Sequence, residues 1–359
     1  MIRPAGNFTV RIAFLLLLAA LAIYPAAAQK ADTSVAPGIA TTPPPWAYGL
    51  EAATGAPPPD RPDSEARGGA DDGTLRHLPT SKYSFTLTQL RNIYSPADWY
   101  PEDHPAMPDI VAHGHKPDVT ACSFCHYPNG KGRPVNTNLA GLPYDYILHT
   151  LDDFKAGARG SADTRKSNTN QMIKFATMMS DDEKKDAARY FSSMKWTPWI
   201  RVVESDAIPK MIVANGIYLT APGTEKQSLG DRIIETPENV EATEVLRDDR
   251  SGFVAYVPPG SIKRGEELVM TGGGGKTVRC TTCHGADLKG MDPVPGLAGR
   301  SPSYLVRQMY DMQHGFRTGE WTAQMKPVVA HLSAEDMMAI AAYLSSRAVA
   351  SAAAAAASK

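Results

Sequence analysis

Two five-residue runs hold all four cysteines of the chain: Cys122-Ser123-Phe124-Cys125-His126 and Cys280-Thr281-Thr282-Cys283-His284. In each run the two thiols, three positions apart, fall on one side of a helical turn. Both sulfurs can then reach the two vinyl groups of one porphyrin, and the histidine that follows is placed over the ring face to bind iron axially. C-x-x-C-H is the attachment pattern of a c-type haem. Two covalently attached haem c groups are therefore expected, held through Cys122 and Cys125 and through Cys280 and Cys283, with His126 and His284 as iron ligands. Other uses of the thiols fit less well. A thioredoxin-like redox pair needs a βαβ surrounding that neither run has. A single four-thiolate zinc site leaves both histidines unexplained and suits an exported chain poorly. Disulfides within the runs would be strained and without purpose.

The runs belong to an internal repeat. Leu139-Ala140-Gly141 recurs as Leu297-Ala298-Gly299, and Tyr146 as Tyr304, at the 158-residue offset of the cysteines. Further on, Met172 matches Met325, Ser180 matches Ser333 and Tyr190 matches Tyr343 at an offset of 153, so the first copy carries five extra residues, expected in a loop over 157–170. Met172 and Met325 occupy equivalent places and are expected to be the second axial ligands. They follow the first cysteine of their copies by 50 and 45 residues, enough chain to pass round a haem edge. The competing donors are Met178, Met179, Met194 and His149 in the first copy. In the second they are Met309, Met312, His314, His331, Met337 and Met338. His104, His113 and His115 are read as surface or turn residues. Methionine opposite histidine raises the haem potential and closes the coordination sphere, which favours outer-sphere electron transfer over catalysis at the iron. Pro134 and Pro295 are candidates for shaping the loop beside each haem.

Helices must present these side chains. Ser180 with Glu183, and Ser333 with Asp336, are capping-box starts, followed by apolar Ala187, Ala188 and Phe191, and by Ile340, Ala341 and Leu344, at helical spacing. Further helices are expected from near Tyr144, from near Ser303, and over 262–270, the last ended by the glycines at 272–275. Between the copies, residues 196–260 read as a β-rich insert. Asn215-Gly216 between two apolar runs signals a hairpin, and Ile233-Ile234 and 253–257 look like further strands. Residues 80–118 are read as an extended, aromatic segment packed over a domain.

On these residues the chain resembles the class I c-type cytochromes, and more specifically their tandem two-haem type. The carriers of the resemblance are Cys122, Cys125, His126 and Met172, then Cys280, Cys283, His284-Gly285 and Met325, and the Ile340-Ala341-Ala342-Tyr343-Leu344 end of the last helix. The resemblance covers about half the chain, roughly 106–195 and 260–347. It implies a mainly α fold with two small helical domains, one haem each, His/Met ligation, electron transfer and periplasmic residence. It also implies redox-protein partners: a dehydrogenase as donor, an oxidase or another cytochrome as acceptor, or a place as cytochrome subunit of a dehydrogenase. A redox enzyme, a peroxidase or sulfur-compound dehydrogenase with one labile haem ligand, is the alternative. Three departures stand out: the long insert, an N-terminal extension, and Tyr127 where the second copy has Gly285.

Composition frames this reading. A chain of 359 residues is long enough for about two domains, and 43% hydrophobic content supports packed cores. A net charge of −1 gives no basic field for nucleic acid. Residues 1–28 read as a cleaved secretory signal, with Arg3 and Arg11 before an apolar run of 13 residues, too short to span a bilayer comfortably. Cleavage before Gln29 would leave an exported protein with no membrane span. Residues 29–79, with 9 Pro and 6 Gly, read as a disordered arm, and 348–359 as an alanine-rich tail.

Overall fold

The computed structural model describes residue 1, residues 41–50 and residues 69–347 apart from Asn215; those from residue 41 onward belong to one compact unit, Ala36–Lys359. The expected leader from residue 2 on, residues 29–40 and 51–68 of the expected arm, and the alanine-rich tail lie outside the described residues.

Part of the stretch expected to be a disordered arm is ordered. A 3₁₀ turn, Pro45–Tyr48, buries Ala47 and Tyr48 in the core of the second repeat, where the Tyr48 hydroxyl donates to Asp311 at 2.9 Å. The next segment is more than an extended strip. Two short strands, β1 (Arg76–His77) and β2 (Ser84–Phe85), pair antiparallel ahead of one helical turn, α1 (Leu87–Leu90). Its aromatics lack periodicity because they pack as a plug. Leu78, Leu87, Leu90, Trp99 and Tyr100 form a small core closed by Val245 and Leu246 of the insert.

The first repeat starts with α2 (Asp109–Ala112) and the motif turn α3 (Cys122–His126). Three longer helices follow: α4 (Tyr144–Lys155), α5 (Ser167–Met178) and α6 (Asp181–Ser192). Val111, Ile147, Leu151, Phe154, Ala188 and Phe191 are among the residues of their shared core. The Ser180 box forms as expected: the Glu183 amide donates to the serine hydroxyl at 3.2 Å, and the Ser180 amide donates to the Glu183 carboxylate at 2.7 Å.

The insert is β-rich, and its strands are partly relocated from expectation. β3 (Ile200–Glu204), which carries no clear sequence signal, runs parallel to β9 (Phe253–Val257), and β8 (Ile234–Pro237) pairs antiparallel on the other side of β9. Ile233 precedes that strand and turns into the core of the second repeat. β4 (Ala207–Pro209) pairs with β7 (Lys226–Ser228). β5 (Met211–Ala214) and β6 (Ile217–Thr220) form the expected hairpin, with Ala214 opposite Ile217 and Gly216 at φ 73° in the two-residue loop.

The second repeat packs α7 (Ser261–Thr271), the motif turn α8 (Thr281–His284), α9 (Pro302–Gln313), α10 (Lys326–Val329) and α11 (Ala334–Ser346) round a second core. α7 ends at Gly272 in the left-handed conformation, φ 80°. Asp336 closes the Ser333 box and also pairs with Arg264 at 2.6 Å and with Lys276. Against the burial that would raise it, these bonds hold its carboxyl at about 2. α7 crosses α11 at Gly265, where a Cβ would stand 1.9 Å from the Ala339 carbonyl oxygen. Only glycine permits that crossing. Gly265→Ala is expected to destabilise the protein by about 1–3 kcal/mol through overpacking, read as a lowered midpoint in thermal or denaturant unfolding.

Candidate functional site

Each motif turn ends on a residue with positive φ: Tyr127 at φ 60°, ψ 156° and Gly285 at φ 84°, ψ 153°. The chain then loops back so that the His126 Nδ1–H donates to the Thr137 carbonyl at 2.8 Å, and the His284 Nδ1–H to the Pro295 carbonyl at 2.7 Å. Thr137 and Pro295 are related by the 158-residue offset, so the two sites share this bond. It fixes the proton on Nδ1 and leaves the Nε2 lone pair for a metal. Burial lowers the pKa of both imidazoles, with the carbonyl bond opposing it, so both rings are neutral bases. Of the two prolines expected to shape these loops, Pro295 supplies the acceptor, and its equivalent in the first repeat is Thr137. A carbonyl acceptor is supplied by any residue type and leaves no mark in the sequence. The Pro134 carbonyl instead accepts from Arg307 Nη2 at 2.9 Å.

The expected residues come together in two separate cavities. Cys122, Cys125, His126 and Met172 line the first, with Leu142, Leu151, Phe154 and Phe191 on its apolar walls. Cys280, Cys283, His284 and Met325 line the second, with Leu297, Leu305, Met309 and Leu344. The thiols are therefore not gathered into one zinc site, and no cluster of three or more metal-binding side chains occurs among the described residues. Burial pushes the Cys122 thiol up to about 12 and the Cys280 thiol to about 11, so neither is a ready thiolate. Of the competing sulfurs, Met179 also lines the first cavity and Met309 and Met312 the second. Their equivalents are Leu332, Leu151 and Phe154, none of them a donor. Met172 and Met325 are thus the equivalent pair of sulfurs that faces both cavities. His149 lines the second cavity, not the first, and lies against Trp321 with ring centroids 4.0 Å apart.

The cavities abut. Leu142, Tyr146, Thr150, Tyr304 and Gln308 line both. Across this seam the repeats exchange arginines. Arg159 Nη2 donates to the Tyr304 hydroxyl at 3.1 Å and to Gln308 Oε1 at 3.0 Å; Arg317 donates to the Tyr146 hydroxyl at 3.2 Å and to the same Gln308 oxygen at 2.8 Å. Arg159 and Arg317 are also bridge partners, flanked by Gly160 N to Phe316 O and Thr318 N to Ala158 O, both 2.7 Å. All four residues obey the 158-residue offset, so the five extra residues of the first copy fall after Arg159. Burial would raise the Tyr146 pKa, but Arg317 and Arg159 together lower it.

The walls suit a haem, an apolar disc carrying two carboxylates. Lys166, Arg307 and Arg159 line the first cavity and Arg300 and Arg317 the second. Among the described residues, the Arg300 guanidinium donates to the carbonyls of Asn138 and Ala140, at 3.2 and 3.1 Å, and its Nε finds no hydrogen-bond partner. Burial lowers Arg300 to about 10 and drives Lys166 well below its ordinary value. Buried cations short of anions are costly, and haem propionates are the complementary charge. The thiols, neutral imidazoles, methionines and cations present therefore fit one haem per cavity.

The Cytochrome c family model matches residues 111–195 and again 262–348. Cytochrome c4 of Stutzerimonas stutzeri is 27% identical over 238 residues, covering 63% of this chain and 84% of that protein. Cytochrome c-554(548) of Halomonas halodenitrificans is 42% identical over 69 residues, 19% of this chain and 83% of its own length. The thiosulfate dehydrogenase electron acceptor of Thiomonas intermedia is 23% identical over 236 residues, 64% and 80% of the two chains.

Because the two arginines share Gln308, their contributions to the seam should couple. Arg159→Gln and Arg317→Gln are each expected to cost about 1–3 kcal/mol, and the double variant to depart from the sum by about 0.5 kcal/mol or more. Equilibrium denaturation of the four proteins checks this.

Proposed function

Since the chain belongs to the cytochrome c family, with two of its domains in tandem, we propose that it is a periplasmic dihaem carrier passing single electrons from a donor dehydrogenase to an acceptor such as a terminal oxidase. The two domains hold two covalently bound haem c groups, which supply one-electron Fe(III)/Fe(II) chemistry. Cys122, Cys125, Cys280 and Cys283 are assigned to the thioether links. His126 with Met172, and His284 with Met325, are assigned to the iron. The observation that carries this assignment is the equivalence of the two donor sets, each lining its own cavity on either side of a shared wall.

In this reading the residues do four things. The Thr137 and Pro295 carbonyls hold each imidazole as an Nδ1–H tautomer. Met172 and Met325 would each give the iron a second protein donor, which would leave no place for substrate. The apolar walls exclude water and so keep reorganisation on electron transfer small. The crossed arginines hold the two cavities at a fixed separation, close enough for an electron to pass between them. The likeness to a thiosulfate dehydrogenase electron acceptor supports a narrower version, in which the donor is one dedicated dehydrogenase that co-purifies with this chain. A redox enzyme would instead need one labile axial ligand.

Export is part of the proposal. No helix among the described residues is long and apolar enough to cross a membrane. Protein recovered from the periplasm should begin at Gln29 on N-terminal sequencing; a chain retaining its first 28 residues would overturn the cleaved-leader reading.

Carbon monoxide separates the carrier from the enzyme. The oxidised protein should show the weak far-red band of methionine-ligated haem, and the reduced protein should not bind carbon monoxide rapidly at either haem. Met325→Ala should lose part of that band and open one haem of the two to the gas. An unchanged spectrum would reassign the ligand, and rapid binding by the wild type would favour the enzyme.

A further inference from the structure

The two motif turns are alike in backbone and unlike in cover. Around the second, Cys283 is exposed, and Val278 and Met291 are 48% and 52% exposed. The first is roofed by the chain's own insert. A π-helical turn, Glu241–Val245, and the loop after it lie over Phe124 and Tyr127. Arg247 places its guanidinium carbon 4.2 Å from the Phe124 ring centroid and 5.4 Å from that of Tyr127, and donates to the Phe124 carbonyl. Arg133 Nη1 reaches both oxygens of the buried Glu244, at 2.8 and 2.9 Å, and Asn129 Nδ2 donates to the Asp249 carbonyl at 2.7 Å. From outside, the N-terminal plug pins the roof: Trp99 Nε1 donates to the Leu246 carbonyl at 2.7 Å, Arg250 pairs with Asp103 at 2.7 Å, and Arg250 covers the Tyr100 ring at 3.6 Å.

This roof puts two influences beside one motif turn and not the other. It replaces water with packed side chains. It also sets the Arg247 cation against the motif turn, while the Glu244 carboxylate that it brings is paired with Arg133 of the first repeat and the buried Asp249 meets Asn129 only through its carbonyl. Both the low dielectric and an added positive charge disfavour the ferric state, which carries the extra charge. We propose that this insert-and-plug clasp tunes the first haem, with Arg247 holding its potential above the value it would have without that cation and so biasing a shared electron toward the first repeat. The proposal rests on the assignment of His126 and Met172 to that haem. Arg247 acts as a positioning and field-setting residue, separated from the ligands by Phe124 and Tyr127.

The test is a redox titration of the full-length holoprotein and five variants. Met172→His and Met325→His assign the couples, each lowering the potential of its own haem; if neither lowers a couple, the ligand assignment fails and the clasp is not implicated. Arg247→Gln should shift the couple assigned to the first haem downward and leave the other unmoved, and Arg247→Lys should restore most of the shift. Glu244→Gln, which leaves Arg133 unbalanced, should shift the same couple upward. Opposite signs from two neighbouring substitutions are what a purely structural roof would not give. The proposal is overturned if both glutamine variants leave the couples in place, move them in the same direction, or move the couple of the second haem. If Arg247→Gln does not accumulate as holoprotein, the upward shift in Glu244→Gln decides alone.

Discussion

The hydrogen bond from a buried imidazole Nδ1–H to a main-chain carbonyl eleven residues on is the contact from which the rest of each site follows. It exists only if the chain leaves the motif turn through a positive φ and doubles back. Gly285 makes that exit at no steric cost. Tyr127 makes it at φ 60° and ψ 156°, a region occupied almost only by glycine, where a side chain costs about 1–3 kcal/mol. The strain is held because the ring is buried, only 4% exposed, and lies against Arg247 of the insert. The insert and the first motif turn therefore depend on each other: one supplies the ring and the carbonyl, the other the cation and the roof.

A second dependence links the two repeats. Each alone would have a cavity open on the side where its tyrosine stands. Joined, Tyr146 and Tyr304 form a common wall, and each is held by the other repeat's arginine. Trp196 Nε1 donates to the Ala298 carbonyl at 3.1 Å, and Arg300 donates to the equivalent Ala140 carbonyl and covers the Trp196 ring at 4.1 Å. The seam collects cations that the protein alone does not balance. A carboxylate-bearing cofactor in each cavity would supply charge complementary to these cations.

The parts legible in the sequence were those that repeat or that need a particular residue type. Two C-x-x-C-H runs, the equivalent Met172 and Met325, both capping boxes and the Asn-Gly hairpin all declare themselves by identity and spacing. What stayed hidden was set by backbone or by distant partners. The Thr137 and Pro295 acceptors are carbonyls. β3 has no alternation to read because it is an edge strand, half exposed along its length, whose one neighbour, β9, is far off in the sequence. Ala47 and Tyr48 sit in a proline-rich stretch whose composition argues for extension, yet the second core takes them in. Arg159 and Arg317 do repeat at the offset of the cysteines, and that signal was available. It was masked by the change of offset that follows, which drew the boundary of the extra residues a few positions too early.

The asymmetry between the repeats gives the long insert a physical rationale. If it only joined two independent domains, a short linker would serve, and its sheet would need to touch neither motif. Instead it contributes Ile233 and Val257 to the second core and Val245 and Leu246 to the N-terminal plug, and it sets Glu244 and Arg247 against the first motif turn. One segment thus buries surface in three places. A segment so constrained cannot shift without disturbing the first motif turn. The two domains share a donor set and a histidine–carbonyl bond. The insert covers one motif turn and not the other, and a difference in potential is what gives electron flow through a two-haem protein a direction.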